Sequence, residues 1–154
     1  MNLEKVFNFI KEKKGYDYPF IYKVLNNIPL SKDDLNVKGD LDLYDKDISS
    51  LPDNLKVEGF LSLSRTNMTA LPDNLEVGDN LFINYTNITS LPDNLIVGGS
   101  LYANNTKLTS LPDNLELGGN ISLIKTPLSN NYTKEEIRKM IKDKGGWING
   151  SVNI

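Results

Sequence analysis

The sequence predicts an α+β repeat solenoid: 20-residue turns with a parallel sheet on one face, a helical cap before them and a helix-plus-strand cap after them. Three observations carry this. Leu-Pro-Asp-Asn-Leu occurs at 51–55, 71–75, 91–95 and 111–115, a period of 20. Apolar residues recur in columns on the same period, and a unit this short cannot bury its apolar side except against copies of itself. The segments on either side carry amphipathic patterns of another kind. The expected organisation is a cap over 1–30, five coils over 31–130 and a second cap over 131–154.

In the first segment Leu3, Val6, Phe7 and Ile10 follow the i, i+3, i+4, i+7 spacing of one helical face. Lys14-Gly15 ends that helix. Asp17 and Pro19 suit the start of a second, with Phe20, Ile21, Val24 and Leu25 on its apolar side and Asn26-Asn27 and Pro29 at its close. A solenoid exposes the interior of its first coil unless something covers it, so the helical pair is expected to cap the stack. The rival reading is an amphipathic helix that docks on a partner.

In the repeats, Leu35, Leu55, Leu75, Leu95 and Leu115 form one apolar column. Others run through Val37 to Leu117, Leu41 to Ile121, Leu43 to Leu123 and Ile48 to Leu128. Leu81-Phe82-Ile83 and Leu101-Tyr102-Ala103 alternate with period two, so one short strand per coil is expected. The return through Leu-Pro-Asp-Asn-Leu is expected to be extended or a tight turn, because proline fixes φ and donates no hydrogen bond. Gly39, Gly59, Gly99 and Gly119, helped by Gly78, Gly98 and Gly118, stand where the chain turns into the strand, and Asp79 interrupts their column.

The frame Leu-x-Leu-x-x-Thr-x-Ile-x-x-Leu-Pro resembles the leucine-rich repeat, in the short 20-residue class of bacterial effectors and of small repeat proteins of bacteria and phages. The resemblance covers about 31 to 130 and implies a right-handed coil. One position departs. Where the family places an asparagine that bonds backbone in the turn after the strand, this chain has Thr66, Thr86, Thr106 and Thr126, with Lys46 in the first coil. A threonine hydroxyl is able to make a similar local bond.

Outward residues of each strand are free of core duty, and differences among them can encode a partner. Tyr44, Phe60, Phe82, Tyr85 and Tyr102 put aromatic rings there, a type enriched among interface hot spots. With Asp40, Asp42, Arg65, Asn84 and Asn104 they form the expected binding set. Phe60 precedes the strand, so its plain alternative is to fold onto a neighbour. Five strands ~4.8 Å apart, with about six residues each at ~3.3 Å, present roughly 500 Å². A stable protein interface takes roughly 800 Å² per partner, so a peptide or a modest-affinity protein contact suits the face. The aspartates Asp33, Asp53, Asp73, Asp93 and Asp113 form a further column. A solvated turn accounts for them better than a calcium cage, because ligands on one ladder do not converge.

Beyond the repeats, Thr133 and Glu136 have the spacing of a capping box, with Tyr132 and Ile137 as its hydrophobic staple. Ile137, Met140 and Ile141 give the helix its apolar side, and Gly145-Gly146 stops it. Trp147 to Ile154 reads as a strand or hairpin able to pair with the last coil and close its edge. A Trp147-centred partner contact is the alternative.

Composition narrows function. The chain has 154 residues, 39% of them hydrophobic, with no cysteine and no histidine. Disulfides, thiolate metal sites and the usual proton shuttle of neutral-pH catalysis are thereby removed. Residues 31 to 126 hold 7 basic and 14 acidic residues, net −7, the wrong sign for a duplex-binding surface. No apolar run reaches membrane-span length, and Met1 to Lys5 do not open a secretory signal. The expectation is a cytoplasmic, non-enzymatic module without cofactor or metal that binds a protein or peptide, not nucleic acid or membrane. Self-association is open. Alternatives are a phage or bacterial inhibitor or decoy of a host protein, and a structural repeat protein of a particle or surface.

Overall fold

A computed structural model describes residues 19–154 of the chain. The expected first helix, on Leu3, Val6, Phe7 and Ile10, lies outside the described residues. The chain divides into two compact units, Met1–Ser31 and Lys32–Ile154. In the first, helix α1 (Phe20–Leu25) follows Pro19 and ends at Asn26, as its sequence predicts. Its faces differ in part from the expected ones: Phe20, Ile21 and Val24 are half-buried, but Leu25 is exposed and Lys23 is buried.

The second unit is a parallel β-solenoid. Each coil contributes two two-residue strands. The coils carry, in order, β1 (Asn36–Val37) and β2 (Leu41–Asp42), β3 (Lys56–Val57) and β4 (Leu61–Ser62), and β5 (Glu76–Val77) and β6 (Leu81–Phe82). Then come β7 (Ile96–Val97) and β8 (Leu101–Tyr102), and β9 (Glu116–Leu117) and β10 (Ile121–Ser122). Odd-numbered strands build one six-stranded parallel sheet and even-numbered strands a second, each completed by β11 (Trp147–Ile148) or β12 (Val152–Asn153). The expectation of one strand per coil and one sheet is therefore corrected. The second sheet arises at Leu55-Lys56-Val57 and its equivalents, which alternate in and out: Leu55 and Val57 are buried while Lys56 is exposed.

The register is strict. Val37 pairs with Val57 and Val57 with Val77 in one sheet, and Leu41 with Leu61 and Leu61 with Leu81 in the other. All five apolar columns point inward, and from the second coil onward Leu55, Leu61, Leu63 and Met68 and their counterparts are fully buried. Residue over identical residue fills the interior, which removes apolar surface from water without any long-range crossover. Leu35 and Val37 of the first coil are half-buried.

Turns close each coil with local polar bonds. Each threonine hydroxyl of the departing column donates to the carbonyl three residues back: Thr66 to Leu63 (2.6 Å), Thr86 to Ile83 (2.8 Å), Thr106 to Ala103 (2.8 Å) and Thr126 to Leu123 (2.7 Å). The local bond expected of threonine is thus made, and made in the core. In the Leu-Pro-Asp-Asn arm, Asn54, Asn74, Asn94 and Asn114 adopt left-handed φ of 54–62°, which asparagine tolerates. The carboxylates of Asp53 and Asp93 accept the amide hydrogens of Asp73 (2.9 Å) and Asp113 (2.8 Å), so the arms bond two by two. Two of the five aspartates thus bond backbone, and it is backbone of the neighbouring coil rather than of their own turn. Between the sheets, Gly78, Gly98 and Gly118 pass so close to the preceding coil that a Cβ at Gly98 would lie 2.2 Å from the Gly78 carbonyl oxygen.

After the fifth coil, α2 (Pro127–Asn131) and α3 (Lys134–Asp143) interrupt the pattern. The capping box forms: Thr133 Oγ1 accepts from the Glu136 amide (3.3 Å) and Glu136 Oε2 from the Thr133 amide (2.8 Å). Ile137 and Ile141 are buried and Met140 half-buried. The chain then rejoins both sheets as a sixth turn, with Glu116 opposite Trp147 and Ile121 opposite Val152. The pairing with the last coil matches expectation, but β11 and β12 belong to different sheets, so they are no hairpin. Trp147 is exposed. The Arg138 guanidinium donates to the Ile148 and Gly150 carbonyls at the sheet edge. Among the described residues no helix is long and apolar enough to cross a membrane.

Candidate functional site

The outer face of the second sheet carries the predicted residues. Parallel register sets Asp42, Ser62, Phe82 and Tyr102 side by side, one per coil. The Phe82 and Tyr102 rings stack with centroids 4.9 Å apart and 6° between planes. Phe60 stands edge-on to Phe82 at 6.1 Å and 84°. Equal spacing of coils thus converts a column of rings into a fixed aromatic wall, an arrangement favoured by the ring quadrupoles. These three rings are half-buried on one another, whereas Tyr44 is 50% exposed and Tyr85 56% exposed. Phe60 thus rests against a neighbour, Phe82, and also lines the depression described next.

Beside the wall the surface falls away. The second coil has serine at both strand-face positions, and Ser62 and Ser64 are buried beneath their larger neighbours. They lie in a depression of about 420 Å³ lined also by Asp42, Tyr44, Phe60, Phe82, Asn84, Tyr85 and Arg65. The Arg65 guanidinium carbon lies 5.0 Å from the Tyr85 ring centroid, a cation over an aromatic face. Arg65 and Tyr85 leave the strand with φ of 61° and 57°, in the left-handed region that bulky residues rarely enter.

Three predicted contact residues do other work as well. Asp40 Oδ1 accepts from the Phe60 amide (3.0 Å), Asn84 Oδ1 from the Asn104 amide (2.9 Å), and Asn104 Oδ1 from the Ile124 amide (2.9 Å) and the Ser122 hydroxyl (2.7 Å). Ser64 Oγ likewise accepts from the Asn84 amide (3.1 Å). Their oxygens tie each coil to the next, so the sequence-level premise that outward residues are free of structural duty fails for them. Asp42 Oδ1 accepts from the Tyr44 amide (3.0 Å), and among the described residues Asp40, Asp42 and Asp45 enter no ion pair. Tyr102 lies outside the depression and supports Phe82 from behind.

Sequence reasoning did not single out Ser62 and Ser64 as the floor. The signal was present: small residues in the second coil between Asp42 and Phe82 in one column, and between Tyr44 and Asn84 in the other. Among the described residues no group of three or more His, Cys, Asp or Glu side chains is placed to hold a metal.

No family model, curated protein or solved structure matches this chain.

Proposed function

We propose that this chain is a non-enzymatic, protein- or peptide-binding repeat module of leucine-rich-repeat type, acting through the outer face of its second sheet. The observation that carries the reading is the depression over Ser62 and Ser64, walled by Phe60, Phe82 and Tyr44. Rings already stacked on one another lose little freedom when a partner arrives, which favours binding. The 20-residue period and the inward leucine columns support the leucine-rich-repeat assignment. A chain without cysteine suits a reducing, cytoplasmic setting.

The test is affinity capture from the native host, comparing the wild type with a combined Tyr44→Ala, Phe82→Ala and Tyr102→Ala variant whose circular-dichroism melt shows it folded. Loss of one specific protein from the variant alone is the expected result. Equal recovery by both removes the strand face from the account.

A further inference from the structure

We infer that the depression over Ser62 and Ser64 receives a lysine or arginine side chain from an extended segment of the partner. This rests on the binding reading above and names what the site selects. The first coil contributes Asp42 and Tyr44 to the lining, and Asp40 and Asp45 stand close to them in sequence. None of the three aspartates is neutralised by an ion pair among the described residues. The one cation lining the site, Arg65, is engaged with the Tyr85 ring of the third coil.

Charge and apolar surface together discriminate among occupants. A leucine or phenylalanine would cover the rings, but it would also strip water from the Asp42 carboxylate and give it no partner, which is costly. A glutamate would meet like charge. A basic side chain satisfies both features: its methylene stem lies along apolar surface while its head stays hydrated or paired. The exposed ring of Tyr44 attracts a cation as well. The repeats as a whole carry net −7, a field that draws basic segments toward this surface.

The probe is a set of capped pentapeptides, Gly-Ser-X-Ser-Gly with X as Arg, Lys, Leu or Glu, titrated into the ¹⁵N-labelled full chain. Amide shifts of Tyr44, Ser62, Ser64, Phe82 and Asn84 are followed. The Arg and Lys peptides are expected to move these amides, and the Leu and Glu peptides to leave them in place. Asp42→Asn keeps an oxygen for the Tyr44 amide and is expected to weaken the Arg peptide by about two- to fivefold. If the Leu peptide moves the amides and the Arg peptide does not, the face still binds peptides but the basic anchor is overturned. Arg-peptide binding that Asp42→Asn leaves unchanged also overturns it. If none of the four peptides moves these amides, the anchor and the binding reading fall together.

Discussion

Thr86 shows how much of this molecule is settled one side chain at a time. Its hydroxyl is buried and donates 2.8 Å to the Ile83 carbonyl, so replacing it by the near-isosteric valine leaves that carbonyl short of a partner in a dry interior. Thr86→Val is expected to cost about 1–2 kcal/mol, read as a lower midpoint in urea with an unchanged slope. The role of this column was legible, because a threonine recurring where a turn must close has few other uses. The neighbouring column was not. Asp45, Arg65, Tyr85, Asn105 and Lys125 all take φ between 56° and 61°, yet Arg, Tyr and Lys do not announce a left-handed backbone as glycine would. Each such residue stores roughly 1 kcal/mol of strain. At Arg65 and Tyr85 that strain fixes the direction of the two side chains that close one side of the candidate site.

At the scale of the element, the second sheet is the main thing sequence reading overlooked. Leu55-Lys56-Val57 alternates as plainly as Leu61-Ser62-Leu63, but the preceding proline drew attention to an irregular return path. Proline limits only its own place, and pairing resumes four residues later at Lys56, whose amide donates to the Leu35 carbonyl (2.7 Å). The corner between the sheets tolerates no side chain at Gly98, since the obstacle is backbone rather than a movable tip. Gly98→Ala is expected to destabilise by roughly 3 kcal/mol or more, or to prevent cooperative folding, as a thermal melt will record.

The capping box of α3 was read correctly from Thr133 and Glu136 because its partners are three residues apart. Arg138 was not, since its carbonyl partners come from a later segment that only folding brings near. The Thr133 backbone amide, and secondarily its hydroxyl, hold the Glu136 carboxyl below the usual glutamate range. A carboxyl lowered in the folded state stabilises above its unfolded value of about 4.3 and loses that contribution as pH falls through the folded value. Protection of the amides in the first turn of α3, taken relative to intrinsic exchange at each pH, is therefore expected to fall below about pH 4.3. Glu136→Gln should abolish that pH dependence.

Across the solenoid unit, coils interact with their immediate neighbours in two sheets, so stability accumulates coil by coil. Residues 71–90 begin and end at the same seam as their neighbours, and their removal joins Ala70 to Leu91 in an unchanged Leu-Pro-Asp-Asn-Leu context. The shortened chain is expected to fold, with its urea slope reduced by roughly a sixth; a chain that fails to fold would show that the coils are not interchangeable. The sixth turn already departs from uniformity. Its strands return to register 31 residues after those of the fifth coil, where every earlier return takes 20. Eleven additional residues and two helices leave the ladder of hydrogen bonds undisturbed, so strand pairing, not arm length, dictates where the chain lands. The outer arc is therefore a natural splice point: foreign loops or helices grafted there would ride on a backbone that holds them at a fixed height along its axis, a ready frame for displaying designed cargo.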